Sequence, residues 1–416
     1  LWTISTKSDF FGHPPGRTTI IDLEWATSTN RWGLKVCGIW RDEDYSRFRN
    51  GLSNLIVPAY ALFISVFGVV PQTFALVKVW GDVTLMVENL ITYLPFVVTL
   101  CKIVTLWFKK EGAKKFLLQE DWDRLRNEEE RETMIKYAQV SRIITFGGYS
   151  VIAATVLVYH PPVLFGFVLR TLTNLTDTGN RPLVLQAIYL IDVYQTPIYQ
   201  LIVVSQTLSC SLAGFCYTTV GALFGVVVLH VCSQLENLKI RIECMMENDR
   251  GNRQKFQEIL KSNVREHQRL IRFVDMIEST FSIMLLMIVP AFTITFCVQG
   301  FQLISVSALG DDVDVSMIQV GFCVVYMTFV AFVMFVYSSV GQVLVTQSAE
   351  IQHAVYKCEW YNLKPKEAAQ LIVILIRAQR PLTITAGKFV PLTLSTFATL
   401  LKTTAGYLSC LLAVQE

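Results

Sequence analysis

Residues 85–115 read LMVENLITYLPFVVTLCKIVTLWFKKEGAKK, and the change of character at Lys109 decides what kind of fold the chain can adopt. From Leu85 to Phe108 only Glu88 and Lys102 carry charge. The run is long enough to cross ~30 Å of hydrocarbon at ~1.5 Å per helical residue. Basic residues then begin at once. Six more runs of this kind lie at Leu55 to Val77, Ile143 to Phe165, Pro197 to Leu229, Phe281 to Val306, Met317 to Val345 and Phe389 to Val414.

The segments between these runs are sharply unequal in charge. Of the 36 Lys and Arg residues, 31 fall on the side that holds the N-terminus, 3 on the other, and 2, Lys102 and Lys402, inside spans. The second side carries 7 acidic residues against its 3 basic ones. By the positive-inside rule the N-terminus is cytoplasmic. Because seven is odd, the C-terminus then emerges outside, with no cytoplasmic tail for a G protein or an arrestin. The expectation is an all-α membrane protein of seven transmembrane helices, N-terminus inside and C-terminus outside.

Composition agrees. With 52% hydrophobic and 17% charged residues, the chain is more apolar than a soluble domain, which runs near ~25% charged. It begins at Leu1 with no h-region and cleavage site ahead of the first span, so the reading is a truncated N-terminus, no cleaved signal peptide, and a first span acting as its own signal. All ten cysteines fall in spans or on the reducing side, so no disulfide framework is expected. The histidines are scattered with no HExxH or CxxC pairing, so neither a metal site nor a cofactor is expected.

Lys109 to Ser141 spaces Phe116, Leu117, Trp122 and Leu125 as one face of a cytoplasmic amphipathic helix. The loop from Gly166 to Tyr194 lies outside and holds the only Asn-x-Ser/Thr sequon, at Asn174. The fourth span runs on into Gln234 to Arg272, the sixth into Glu350 to Lys357, and Lys366 to Ala378 is a helix too short to span, ended at Arg380 and Pro381. These extensions imply a cytoplasmic helical anchor bundle continuous with the membrane part. The organisation is therefore 1–54 a cytoplasmic segment, 55–345 the first six spans, 346–388 an anchor segment and 389–416 the last span, without internal repeats.

The most specific residues come last: Tyr356, Cys358, Glu359, Trp360, Tyr361 and Leu363; then Arg377, Gln379, Pro381, Thr385, Ala386, Gly387 and Phe389; then Leu394, Phe397, Leu400, Lys402 and Tyr407. This pattern resembles the C-terminal signature of insect odorant receptors, and the layout is similar to theirs over the whole chain. The resemblance implies an odorant-gated, non-selective cation channel, not an enzyme, in the plasma membrane of sensory neuron dendrites. It implies tetramers with the last span lining a central pore. The short loop between spans four and five implies an odour-tuning subunit that pairs with the family's co-receptor, whose loop there is longer. Partners would then be that co-receptor, a volatile odorant, monovalent and divalent cations and the lipid bilayer, with no nucleic acid.

Rival classes fit less well. A G-protein-coupled receptor needs the N-terminus outside, an outer disulfide, an acidic-Arg-Tyr end to span three and NPxxY in span seven. A gustatory receptor, a related channel, ends in TYxxxxxQF, which Gly406 to Cys410 does not complete. Transporters and membrane enzymes show repeats, broken helices or reactive clusters at one depth, and none is legible.

In the last span Thr403, Gly406, Cys410 and Ala413 recur at i+3 and i+4, so they share a face less bulky than that of Leu401, Leu408 and Leu412. Such a stripe fits either a dewetting pore or helix packing; the resemblance selects the pore and puts Cys410 at its narrow gate. Lys402 would repel cations, so it is expected to turn toward a side vestibule or an acidic partner, with Glu88 a candidate. Asp311, Asp312, Asp314 and Glu416 either gather cations at the outer mouth or form a solvated edge. The resemblance places the odorant pocket in the outer half among spans two, three, four and six. Its candidate lining is Tyr93, Phe96, Phe146, Tyr149, Ala153, Tyr199, Gln206, Phe322, Tyr326 and Phe329, binding by apolar burial with few polar anchors.

Overall fold

The apolar runs become helices because a backbone in hydrocarbon must satisfy its own hydrogen bonds. The computed structural model describes residues 15–40, 47–109, 119–164, 181, 183–245, 253–308 and 313–415. Its helices are α1 (Pro15–Val36), α2 (Arg47–Ile64), α3 (Val70–Lys78), α4 (Val83–Phe108), α5 (Gln119–Asp123), α6 (Glu128–Leu164), α7 (Ile198–Glu243), α8 (Arg253–Ala308), α9 (Val313–Lys357), α10 (Pro365–Ala378) and α11 (Leu394–Gln415). A π-helical turn, Ser65–Val69, joins α2 to α3. Among the described residues six helical stretches are long and apolar enough to cross a membrane, and α11, of 22 residues, completes the seven expected spans.

Helices α7, α8 and α9 have 46, 56 and 45 residues. At ~1.5 Å per residue each outruns a ~30 Å hydrocarbon layer about twofold. They therefore continue past the membrane at the end rich in Lys and Arg, hereafter the basic end, where α10 packs on α9. Pro365 opens α10 where its missing N–H is harmless, and the Lys364 amide donates to the Glu367 carboxylate at 3.4 Å. Leu371, Ile374 and Ala378 form its buried face.

The basic end is held by ion pairs in a nearly dry setting. Glu130 takes two bonds from Arg241, at 2.5 and 2.6 Å, and one from the Arg126 amide at 2.9 Å. Asp121 on α5 accepts from Arg269 and lies 2.9 Å from His230 Nε2. Burial pushes the Asp121 carboxyl up, but the His230 ring and the Arg269 guanidinium outweigh it and hold the group below the ordinary carboxylate value. Arg131 pairs with Asp22 at 2.6 Å and so clamps α1 against the start of α6.

Three elements depart from the sequence reading. The N-terminal segment contains α1, which packs on α6 and α7. Lys109 to Ser141 is not one amphipathic helix: α5 is a single short turn, the chain opens at Arg124 to Asn127, and Glu128 already starts α6. Phe116 and Leu117 lie outside the described residues. Residues 389–391, read as the start of the last span, instead belong with the end of the anchor segment to a hairpin of β1 (Thr385–Ala386) and β2 (Val390–Pro391), paired antiparallel. Gly341 on α9 allows this, because a Cβ there would stand 2.1 Å from the Leu392 carbonyl oxygen.

Candidate functional site

Prolines set the site. Pro71 has no N–H to offer the Phe67 carbonyl four residues back, and Pro95 has none for Ile91. Each carbonyl instead accepts from a tyrosine hydroxyl of another element: Tyr189 to Phe67 at 3.3 Å, and Tyr326 of α9 to Ile91 at 3.2 Å. The π-turn lies beside the first of these breaks. Gly68 within it meets the Phe96 ring so closely that a Cβ would fall 2.5 Å from a ring carbon.

Tyr189 belongs to an irregular stretch, 183–197, that enters the helix bundle. Leu183, Val184, Leu185, Gln186 and Ala187 are all buried. Irregular backbone survives at such a place only if its polar groups find protein partners, and several of them do here. The Ile188 amide donates to the Pro71 carbonyl at 3.0 Å. The Leu185 amide donates to Gln206 Oε1 at 3.2 Å, while Gln206 Nε2 donates to the Tyr189 hydroxyl at 3.0 Å. Asn89 Nδ2 donates to the carbonyls of Gln72 and Gln186, both at 3.3 Å. Side-chain amides thus replace the ladder that a strand would have used.

The structure gathers some of the sequence candidates here and sends others elsewhere. Phe96 and Tyr199 share one apolar cluster with 183–185 and Val193. Tyr93 accepts from Thr73 at 3.3 Å, across the α3–α4 contact. Tyr326 packs with Val87, Ile91 and Phe301, and Phe329 is half-buried on the same helix. Gln206 holds the inserted stretch with both ends of its amide.

On α6, Tyr149 stacks on Phe215 at 5.5 Å, meets Trp32 of α1 edge-on at 6.5 Å and bonds Thr219 at 3.0 Å. Phe146 is 49% exposed, 5.6 Å from the Arg142 guanidinium. Tyr149 thus stands against α1. Ala153 is exposed. The side chain of Phe322 lies outside the described residues, as do Asn174, Asp311, Asp312, Glu416 and the side chain of Asp314.

Lys102, which the sequence showed only as a charge inside a span, is fully buried between α4, α7 and α9. Its Nζ donates to the Tyr337 hydroxyl at 3.1 Å and the Tyr217 carbonyl at 3.4 Å, and stands 3.2 Å from the centre of the Tyr217 ring. A hydroxyl, a carbonyl and a π-face therefore use its three donors. The residues that sequence reasoning passed over are Gln72, Asn89, Lys102, Tyr189 and Tyr337. Prolines inside spans were the available signal, since each announces a carbonyl that another element must satisfy.

The last helix, α11, packs on α8 through Phe397 against Phe292 and through Leu408 against Gly300. Thr403 and Gly406 lie on its exposed side; the side chains of Cys410 and Ala413 are outside the described residues. Lys402 is exposed one turn before Gly406, and among the described residues no carboxylate pairs with it, Glu88 included.

The family model described as 7tm Odorant receptor matches residues 82–405, well over half of the chain. The chain belongs to the odorant receptor family. Odorant receptor 13a of Drosophila melanogaster is 24% identical over 257 residues, 57% of this chain and 59% of that protein. The odorant receptor coreceptor of Aedes aegypti is 24% identical over 157 residues, 38% of this chain and 31% of that one. The alignments thus span less than two thirds of these relatives. The solved structure of the insect olfactory receptor OR5 from Machilis hrabei in complex with eugenol superposes with a TM-score of 0.78 at 14% identity, over 95% of this chain and 99% of that one. At that identity the likeness speaks for the fold, the multi-pass, all-α membrane architecture of these receptors.

Proposed function

We propose that this chain is the odour-tuning subunit of an odorant-gated, non-selective cation channel in the plasma membrane of sensory dendrites. It would sit with the basic end in the cytoplasm and assemble with the family's co-receptor. The observation that carries the reading is the pairing of two features on one chain. A proline-kinked, aromatic-lined site lies in the half of the bundle away from the basic end, closed by the inserted stretch. A last helix packs on α8 by one side and leaves Thr403 and Gly406 exposed on the other.

An apolar ligand gains ~25 cal/mol per Å² buried in such a site. It can open the channel only by binding the open arrangement better than the closed one. Helices α4, α7 and α9, which border the site, also meet α8, and α8 carries α11, so a change in their packing has a physical route to the last helix. The small face of Thr403, Gly406, Cys410 and Ala413 would line the conduction path, and Cys410 would form its narrow, dewetting point. Within the ligand set, Tyr93, Phe96, Tyr199, Tyr326 and Phe329 are the residues we assign to odorant contact. Asn174 would carry the glycan.

The test is expression with and without the co-receptor, recording odour-evoked current in each case. Cation current that appears only with both subunits and persists without intracellular nucleotide supports the proposal. Current that requires nucleotide and a G protein overturns it.

A further inference from the structure

We propose that Gln72 and Asn89 form a hydroxyl-recognising subsite, whose two side-chain oxygens accept hydrogen bonds from the O–H of a small alcohol or phenol. The inference rests on the ligand-gated reading above and adds the chemical class of ligand. Both residues are 0% exposed, on the contact between α3 and α4. Among the described residues Gln72 Oε1 and Asn89 Oδ1 accept no hydrogen bond.

Their orientations are fixed by the donors. Thr92 Oγ1 donates its only proton to the Asn89 carbonyl at 3.2 Å, so toward Gln72 it can only accept, and Gln72 Nε2 donates to it at 2.6 Å. Asn89 faces two carbonyl oxygens, those of Gln72 and Gln186, and only its NH₂ can serve both. Turning the Asn89 amide over would set oxygen against two carbonyl oxygens, and turning the Gln72 amide over would take the Thr92 proton away from the Asn89 carbonyl. The two remaining oxygens are therefore locked in place as buried acceptors lacking a donor, an arrangement that proteins rarely leave unanswered.

The chemistry of the partner follows. Ethers, esters and ketones bring only acceptors and leave both oxygens as they are. A cation would have to shed its water shell for two neutral amides, at a heavy desolvation cost. A neutral O–H supplies the missing donor at little cost. Asn89 lies one helical turn from Tyr93 and bonds the inserted stretch at the Gln186 carbonyl, and Gln72 neighbours Thr73, which bonds Tyr93, so the pair adjoins the aromatic residues assigned to odorant contact. Water has the same donor chemistry, and the experiment separates the two.

Gln72→Met removes the acceptor and nearly keeps the shape, while the Pro71 carbonyl that holds the inserted stretch and the Gln72 carbonyl that holds Asn89 are untouched. Thr92→Val removes the group that fixes the Gln72 amide. Each variant, co-expressed with the co-receptor and normalised for surface expression, is challenged with 1-octanol, benzyl alcohol and 2-phenylethanol and with the methyl ether of each. The expected result is that half-maximal concentrations for alcohols rise about tenfold in Gln72→Met, the effect of losing one good hydrogen bond, while those for ethers stay put. Thr92→Val should shift the alcohols alone, by less. Alcohols and ethers moving together, or neither moving, would mean that the oxygens bind only water and would overturn the proposal, as would a wild-type channel that answers ethers as well as alcohols. A wild-type channel silent to every odour tested counts against the proposed function instead.

Discussion

The two ends of the helix bundle solve the same problem, how to bury polar groups, by opposite chemistry. At the basic end the helices are long and charges meet charges: Glu130 with Arg241, Asp121 with Arg269, Arg131 with Asp22. At the other end Pro71 and Pro95 each leave a helix carbonyl without its usual donor, tyrosine hydroxyls take these up, and neutral side-chain amides hold the inserted stretch. Ion pairs are strong only while complete, since removing one partner leaves a buried charge. Neutral bonds are individually weak and exchange readily. One end is thus held by paired charges and the other by exchangeable neutral bonds, and Lys102 marks the boundary, its amine held by neutral groups alone.

The hardest test of this contrast is Glu130→Ala, which strands Arg241 in a buried site. It should cost about 3–5 kcal/mol, read as lost stability in denaturant unfolding of the micelle-solubilised protein. A loss under 1 kcal/mol would show that the basic end is no more rigid than the other.

At the boundary, Tyr337→Phe removes one of the donors' partners on Lys102 and should cost about 1.5–3 kcal/mol in the same assay. Lys102→Met, which removes the charge as well, should cost less. If Lys102→Met is the worse of the two, the lysine is not the burden that its surroundings imply.

Tyr189→Phe deletes the bond to the Phe67 carbonyl and should cost only about 1 kcal/mol. It should speed hydrogen exchange at the Ile188 amide while exchange in the long helices stays unchanged. Equal acceleration along α8 would mean that the inserted stretch and the basic end unfold as one unit.

Asp121 gives a smaller effect, visible only in acid. Its folded-state carboxyl lies below the ordinary 3.8. Its stabilisation is therefore fully present above that pH and is lost as pH falls through the lowered value. Asp121→Asn should flatten that part of the acid unfolding profile. A profile unchanged by the substitution would remove Asp121 from the account.

Last, Lys402→Gln should leave cation selectivity unchanged at normal expression. Eight residues separate it from Cys410, or ~12 Å at ~1.5 Å per residue, more than the ~8 Å Debye length at physiological salt. A large change in selectivity in patch recordings would place the lysine in the narrow path.

Much of the fold was legible because a bilayer leaves few choices. Apolar length predicts the spans, and the long charged continuations of spans four and six are present as α7, α8 and α9. What escaped notice depended on partners far away in sequence. Helix α1 is amphipathic without being strongly apolar, and only the surfaces of α6 and α7 make it a stable element. The inserted stretch reads as an ordinary outer loop, since its burial depends on the Phe67 and Pro71 carbonyls, more than a hundred residues earlier. For the candidate site the lesson is similar. Aromatic spacing singled out Tyr93, Phe96 and Tyr326, which lie by the proline-altered segments, and equally Phe146 and Tyr149 on α6, which lie elsewhere, because periodicity reports which residues share a face and not what covers it.

By itself, then, the chain determined that it spans a membrane seven times, that its charge is concentrated at one end, and that it carries the signature of its family. Each of these is a property of local composition, which a low-dielectric slab and a charged interface read segment by segment. Only the tertiary structure decided which polar groups are already satisfied and which are left over. Gln206 and Gln72 are the same residue type in similar spans. Gln206 has both ends of its amide bonded, and Gln72 keeps one oxygen without a donor. That difference lies in the positions of Leu185, Tyr189 and Thr92, which no local pattern records.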